Sequence, residues 1–137
     1  MVLVDTSVWS LALRRKTMAL PPHVKELAGL IRHMRVQMIG PIRQEVLSGI
    51  RREAQFVSLR EHLRAFPDLP LLPDDFEYAA ELFNLLRGKG VQGSNTDFLI
   101  CAAALRYSMS IFTLDNDFTL FSRHIPIRLH AMNAVTE

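Results

Sequence analysis

Acidic side chains stand beside the apolar runs of this chain, where they could act together. Asp5 follows the run Met1–Val4, and Asp115 follows the run Ile111–Leu114. Three further acids flank other apolar segments, and these are Glu45, Asp97 and Asp117. Short apolar runs followed by helical patterns are typical of buried parallel strands, and ligands bind beyond the carboxyl ends of such strands. We therefore expect Asp5 and Asp115 to meet at one edge of one sheet.

Gathered carboxylates favour one kind of chemistry. Two of them about 4 Å apart repel by roughly 4 kcal/mol at an effective dielectric constant of about 20. A hard divalent cation with oxygen ligands relieves that repulsion. Such an ion can share oxygens with a phosphate and make a bound water more acidic. The acids therefore predict metal-dependent hydrolysis of phosphodiesters, in which one carboxylate could orient or deprotonate the attacking water.

Each acid also has a simpler explanation. Asp5, Asp97 and Asp115 lie near helix starts, where a carboxylate can cap free N–H groups. Glu45 could be a solvated helix residue, and Asp117 could merely begin a short helix. Other capping residues follow Asp5 and precede Asp97, which would leave both acids free of the capping role. The helix after Asp97 is too apolar for the surface, so we expect that acid inside the fold, where it is costly unless paired or metal-bound.

Composition places the chain among compact globular proteins. Its 137 residues, 49% of them hydrophobic, predict one domain over residues 1–137 with a real core. A formal net charge of +2 barely favours nucleic acid as a partner. If several acids share one pocket, however, the remaining surface is distinctly positive and suits a polyanion.

Cysteine and histidine usage excludes several classes of site. The single cysteine, Cys101, cannot form an intramolecular disulfide, and its apolar surroundings predict a packed core residue. The histidines show no close zinc-type pairing, and no CxxC motif is present. The N-terminus has no signal-peptide pattern, and no apolar run reaches the length of a membrane span. The default expectation is a soluble cytoplasmic protein.

Helical and strand patterns alternate along the chain. We predict strands at 1–5, 36–39, 110–114 and near 127–130. We predict helices at 8–15, from Pro21–Pro22 onward, and at 42–52, 53–66, 75–87, 97–107 and 116–123, with Asp74 capping the helix of 75–87. This order predicts an α/β domain with a mainly parallel central sheet flanked by helices.

Four segments carry a resemblance to a known family. These are Val4–Trp9 (VDTSVW), Glu45–Gly49 (EVLSG), Thr96–Ala104 (TDFLICAAA) and Thr113–Phe118 (TLDNDF). Their order and spacing across nearly the whole chain resemble the PIN-domain family, and specifically the VapC-type toxins of bacterial toxin–antitoxin pairs.

The resemblance implies a single PIN-like domain and a metal-dependent endoribonuclease. Its metal ligands for Mg²⁺ or Mn²⁺ would be Asp5, Glu45, Asp97 and Asp115, with Asp117 contributing in some members. Ser7 and Thr113 match polar positions that hydrogen-bond within the acidic site. The resemblance also implies a homodimer, and an antitoxin protein that docks over the active site and alone brings the toxin to DNA.

Two other functions stay open. The chain could be a catalytically silent PIN-like binding subunit of an antitoxin–DNA complex, which would show no metal-dependent turnover. It could also be an aspartate-based phosphotransfer protein, since one strand-end aspartate can accept a phosphoryl group.

Other segments allow weaker interpretations. The glycine-rich loop 88–94 lacks the Lys-Ser/Thr of a phosphate-binding P-loop, and it is either solvated or contacts RNA backbone. The basic clusters at 14–16 and 51–52 could contact phosphates or be charged helix ends. Trp9 and Phe118 could stack on bases, although core packing is favoured for both. The helix around 76–86 could form a dimer interface or, more simply, present a core face.

Overall fold

Three parallel strands form the centre of the protein. The structure is a computed structural model that describes residues 1–14 and 20–132. The strands β1 (Val2–Val4), β2 (Val36–Gln37) and β3 (Ser110–Phe112) are arranged in the order β2-β1-β3. Val2 lies opposite Val36 on one side and opposite Ser110 on the other. All of β1 is fully buried, as expected for a central strand of a covered parallel sheet. The predicted α/β class with a parallel sheet is confirmed.

Helices connect and cover these strands. In the described residues they are α1 (Thr6–Arg14), α2 (Pro22–Arg32), α3 (Gly40–Leu47), α4 (Glu53–Leu63), α5 (Pro73–Gly88), α6 (Asn95–Arg106) and α7 (Asp117–Ser122). None of them is long and apolar enough to cross a membrane. Of the predicted basic cluster at 14–16, Arg15 and Lys16 lie outside the described residues.

Helix α6 is the most deeply buried helix and carries one of the predicted acids at its start. Every residue from Phe98 to Ala104 is buried, including Cys101, whose thiol is free. Trp9 and Phe118 are 5% and 0% exposed, and Trp9 packs edge-on against Phe66. The predicted core positions of Cys101, Trp9 and Phe118 are therefore confirmed, and neither aromatic ring is free to stack on a base.

Several element bounds differ from those predicted. Helix α3 ends at Leu47 rather than Arg52, because Gly49 takes a φ of 88° that favours glycine and interrupts a helix. The predicted strand near 127–130 is wrong. Leu129 makes only an isolated bridge to Ile111, and Pro126 offers no N–H to extend that pairing.

The start of α5 depends on a different aspartate from the one predicted. The predicted cap, Asp74, is exposed, whereas Asp75 accepts a hydrogen bond of 2.7 Å from the Leu72 N–H. The acid at the third helical position reaches back to the residue before the helix. Because the two aspartates are adjacent and chemically identical, local sequence could not distinguish them.

Helix α3 is anchored by one arginine. Arg43 Nε and Nη2 donate to Asp68 Oδ1 at 3.0 and 2.9 Å, and its guanidinium also donates to the carbonyls of Leu63 and Phe66. These bonds attach α3 to the segment that follows α4. Glu45 follows Arg43 by two residues in the same helix, so the bonds of Arg43 help to hold that acid in place.

Candidate active site

Asp5 occupies the carboxyl end of the central strand. It is 6% exposed, and its Oδ2 accepts hydrogen bonds of 2.8 Å from both Ser7 Oγ and Thr113 Oγ1. Ser7 belongs to the first turn of α1, and Thr113 directly follows β3. The two hydroxyls therefore hold one buried carboxylate at the junction of β1, α1 and β3.

Backbone groups orient both hydroxyls. Ser7 Oγ accepts the N–H of Leu114, and Thr113 Oγ1 accepts the N–H of Asp115, each at 3.0 Å. A hydroxyl that already accepts an N–H is left to donate its own proton to Asp5. Asp115 Oδ1 in turn accepts the N–H of Asp117 at 2.9 Å, which begins α7. Asp117 itself is exposed at the rim of the site.

Asp97 takes part in capping its own helix. Its Oδ2 accepts the Ser94 N–H at 3.0 Å, while Ser94 Oγ accepts the Asp97 N–H at 3.0 Å. This is a capping box with Ser94 at the cap position. The prediction that other residues would free Asp97 from capping is wrong. One carboxylate oxygen serves the cap, and the same bonds fix the direction in which the acid points.

Electrostatics connect three of the acids. Burial is the main cause that raises the pKa of Asp97, and the charges of Asp115 and Asp5 raise that pKa further. The hydrogen bonds from Ser94 act in the opposite direction. The negative charges at the carboxyl ends of β1 and β3 therefore act on the acid at the start of α6. Burial and the charges of Asp97 and Asp5 also raise the pKa of Cys101, so its thiol stays neutral beneath the acids and supplies no nucleophile.

Glu45 lies on the neighbouring helix and is exposed. Its Oε1 accepts a hydrogen bond of 3.0 Å from Thr6 Oγ1, which joins α3 to the start of α1. Glu45 and Thr6 line a cavity of about 380 Å³ together with Gln44, Ser48 and Thr96. Thr6 was missed as a site residue by sequence reasoning, although its place directly after Asp5 was a usable signal.

The donors suit a hard cation without enclosing one. Between residues 1–14 and 20–132, no three His, Cys, Asp or Glu side chains come close enough to hold a metal ion by themselves. In the same part of the chain, no Lys, Arg or His side chain forms an ion pair with any of the five predicted acids. Carboxylate oxygens bind Mg²⁺, which commonly keeps several waters and takes only one or two protein carboxylates. The residues therefore fit an open, partly hydrated ion.

Comparison with known proteins decides the family. The PIN domain family matches residues 2–123, which include all five acids. The chain belongs to the PIN-domain family. The predicted resemblance is thereby confirmed. In this PIN domain, Asp5 and Asp115 follow the strands β1 and β3, and Asp97 lies at the start of α6.

Relatives of this PIN-domain chain include a named ribonuclease. The chain is 31% identical to ribonuclease VapC11 of Mycobacterium tuberculosis over 126 residues, which cover 90% of this chain and 92% of the relative. FitAcB from Neisseria gonorrhoeae has the same fold, with a TM-score of 0.76, 20% identity and coverage of 96% and 97% of the two chains. VapBC2 from Rickettsia felis, bound to a DNA fragment from its promoter, gives a TM-score of 0.73 at 18% identity and covers 94% and 96%.

Proposed function

We propose that this PIN-domain protein is a metal-dependent endoribonuclease and the toxin of a toxin–antitoxin pair. The observation that carries the proposal is that Thr113 joins Asp5 and Asp115 at the carboxyl ends of β1 and β3, where its hydroxyl donates to the Asp5 carboxylate and accepts the Asp115 N–H. The named ribonuclease among the relatives supports RNA as the substrate and hydrolysis as the reaction.

Each of the five acids has a proposed place around the metal ion. Asp5, Asp97 and Asp115 would bind Mg²⁺ or Mn²⁺, with Glu45 completing the site and Asp117 contributing at its rim. A bound ion would supply Lewis-acid stabilisation of phosphate charge and a more acidic water.

The surrounding residues keep these acids in position. Ser7 and Thr113 fix the direction of the Asp5 carboxylate, and Ser94 fixes that of Asp97. Thr6 holds Glu45 from the facing helix. Pre-organised carboxylates need little rearrangement when an ion and a phosphate arrive, which is the condition for efficient electrostatic catalysis.

Cleavage of end-labelled structured RNA tests the proposal. Protein freed of any bound antitoxin is incubated with EDTA, Mg²⁺ or Mn²⁺, and the wild type is compared with Asp97→Asn and Asp115→Asn. Asp74→Asn is the matched control, because its side chain is 71% exposed at the start of α5. We expect metal-dependent cutting by the wild type and the control, and a loss of about a hundredfold or more in the two site variants, since removal of one electrostatic group commonly costs that much.

The opposite outcomes are equally informative. If site variants keep wild-type rates, the shared acidic site does not perform the reaction. If folded, antitoxin-free wild type cuts none of several RNA pools, the endoribonuclease is rejected in favour of a silent binding subunit of an antitoxin–DNA complex.

A groove beside α1 supports a peptide partner for this proposed toxin. A mainly apolar cavity of about 640 Å³ lies between α1 and α4, lined by Trp9, Leu59 and Phe66 among others. Leu13, which is 47% exposed, also lines this groove and leaves apolar surface open to solvent. Apolar side chains of an antitoxin segment would fill this groove and cover its exposed apolar surface.

Tryptophan fluorescence tests that partner. Trp9 is the single tryptophan of the sequence, so its emission reports on the groove directly. Titration with the small protein that co-purifies from the native host should shift the emission, because the partner would change the surroundings of the indole ring. Leu59→Ala should weaken binding, whereas Leu120→Ala, an exposed residue of α7, should not. An unchanged emission at saturation would contradict this placement of the partner.

A further inference from the structure

A third cavity lies along α5, beside the acidic site. It measures about 520 Å³ and lies between α3, α5 and the first turn of α6. Phe76 and Phe83 supply its aromatic part, and the side chains of Gln44, Asn84 and Asn95 supply its polar part. None of its lining residues carries a charge. The cavity therefore suits an uncharged, flat group with a polar edge.

The cavity is continuous with the site of cleavage that we propose. Gln44 and Thr96 line this cavity and also line the smaller cavity that contains Glu45. Thr96 is the residue before Asp97, so the wall between the two spaces is part of the acid-bearing helix. A ligand held at the acids can thus place its neighbouring group in the uncharged cavity.

The two phenylalanines of the cavity differ in how tightly their rings are packed. Phe83 is held by an edge contact with Phe98, with ring centroids 5.5 Å apart, and by the Arg87 guanidinium 5.8 Å from its own centroid. Phe76 is 52% exposed on the surface of α5. Its ring is available to a ligand, and its truncation would empty no part of the core.

The amides of the cavity are available as well. In the part of the chain that the structure describes, no side-chain hydrogen bond engages Gln44, Asn84 or Asn95. Amide groups pair with base edges through one donor and one acceptor, and aromatic rings stack on base faces. A nucleobase combines these two demands with the absence of charge.

We infer that this cavity binds one unpaired nucleobase of the RNA, next to the phosphate that is cut. Phe76 stacks on the base, and Asn84 and Asn95 read its edge. The inference rests on the proposed endoribonuclease and assigns its nucleotide preference to α5 and the start of α6. A second copy of the chain is a poorer occupant, because an apolar contact would desolvate three amides without supplying partners.

The first test uses binding alone and does not depend on cleavage. Short single-stranded RNAs carry 2-aminopurine at successive positions, and their fluorescence is titrated with wild-type protein in EDTA at low salt. We expect quenching at one position, because stacking quenches this base. Phe76→Ala should lose the quenching and bind roughly 5- to 100-fold more weakly, the usual effect of removing one stacking ring. Leu85→Ala is the control, since Leu85 is 47% exposed on the same helix and lies outside the cavity.

The second test uses cleavage of an RNA pool randomised around the cut. Phe76→Ala should lower kcat/KM about tenfold, and Asn84→Ala should flatten the preference at one nucleotide while Leu85→Ala retains it. Wild-type preferences and wild-type quenching in Phe76→Ala would overturn the inference. The inference would also be overturned if Phe76→Ala lost activity and sedimentation showed that the variant had lost its dimer. The cavity would then be an interface between two copies of the chain. A wild type that binds with quenching but never cuts would reject the endoribonuclease and leave the base site standing.

Discussion

Thr113 Oγ1 donates a 2.8 Å hydrogen bond to Asp5 Oδ2 and so joins the carboxyl ends of β3 and β1. The same hydroxyl accepts the N–H of Asp115. One side chain therefore positions two of the acids that we propose as metal ligands. Its removal tests whether that positioning matters separately from the acids themselves.

Thr113→Val keeps the shape of the side chain and removes both hydrogen bonds. We expect a fall of roughly 10- to 100-fold in kcat/KM, the usual effect of losing a group that orients a metal ligand. The free energy of unfolding should fall by about 1–3 kcal/mol, because a bond to a charged group is lost. Cleavage rates and urea unfolding measure the two effects. Thr119→Val, on the exposed side of α7, should change neither; equal behaviour of the two variants would contradict the positioning role.

The raised pKa of Asp97 predicts the pH dependence of stability without metal. The folded protein holds this proton more tightly than the unfolded chain, so stability falls as pH rises from the unfolded value near 3.9 through the raised folded pKa. Asp97→Asn removes the charge and should raise Tm in EDTA at about pH 7, with the gain shrinking toward about pH 3. Calorimetry across this range measures it. Mg²⁺ should raise the Tm of the wild type more than that of the variant. If the Tm gain of Asp97→Asn in EDTA were independent of pH, the charge of Asp97 would not be its cause.

Asp75 is a buried acid that stabilises the fold and lies outside the proposed metal site. It is 0% exposed, and its Oδ2 accepts from Leu72 N–H at 2.7 Å and from the Tyr107 hydroxyl at 3.2 Å. Arg106 Nε lies 2.8 Å from Oδ1, although that oxygen lacks a well-aligned hydrogen bond, so we regard the contact as an ion pair. Asp75→Ala should cost about 1–3 kcal/mol of unfolding free energy, since it leaves the Leu72 N–H and the Tyr107 hydroxyl without their acceptor.

Chemical denaturation checks the Asp75 prediction. Asp74→Ala is the neighbouring control and should cost no more than about 0.5 kcal/mol, because its carboxylate is exposed. The specific activity of the folded fraction of Asp75→Ala should match the wild type. A variant that stayed as stable as the control would show that α5 and α6 do not depend on this carboxylate.

Gly93 allows the loop before α6 to approach the core. A Cβ at this position would lie 2.7 Å from Phe121 Cζ and 3.0 Å from Phe98 Cε2. Gly93→Ala should therefore lower the free energy of unfolding by about 1–3 kcal/mol through overpacking. It should also slow cleavage, because Ser94, the next residue, orients Asp97. Gly88→Ala, which meets nothing within 4 Å, is the control for thermal unfolding and cleavage; equal stability of the two variants would contradict the packing argument.

Local patterns were enough to predict the sheet and the burial of several side chains. Alternating apolar runs and helical spacing identified β1 and β3, and the apolar character of α6 predicted a buried Cys101. The edge at which Asp5 and Asp115 lie followed from a general property of parallel strands, whose carboxyl ends face the same way. The metal-binding and catalytic roles of these acids stay predictions.

Contacts between distant segments could not be predicted in the same way. Thr6 meets Glu45 across 39 positions, and Thr113 meets Asp5 across 108. The choice of Asp75 over Asp74, and the capping role of Asp97, depend on which oxygen reaches a particular N–H once the helices have packed. The sequence by itself determined where most of the helices and the three strands lie and which acids follow them, because periodicity and residue chemistry are local. Only the tertiary structure decided which of them touch, because hydrogen bonds form over about 3 Å and packing alone sets distances that short.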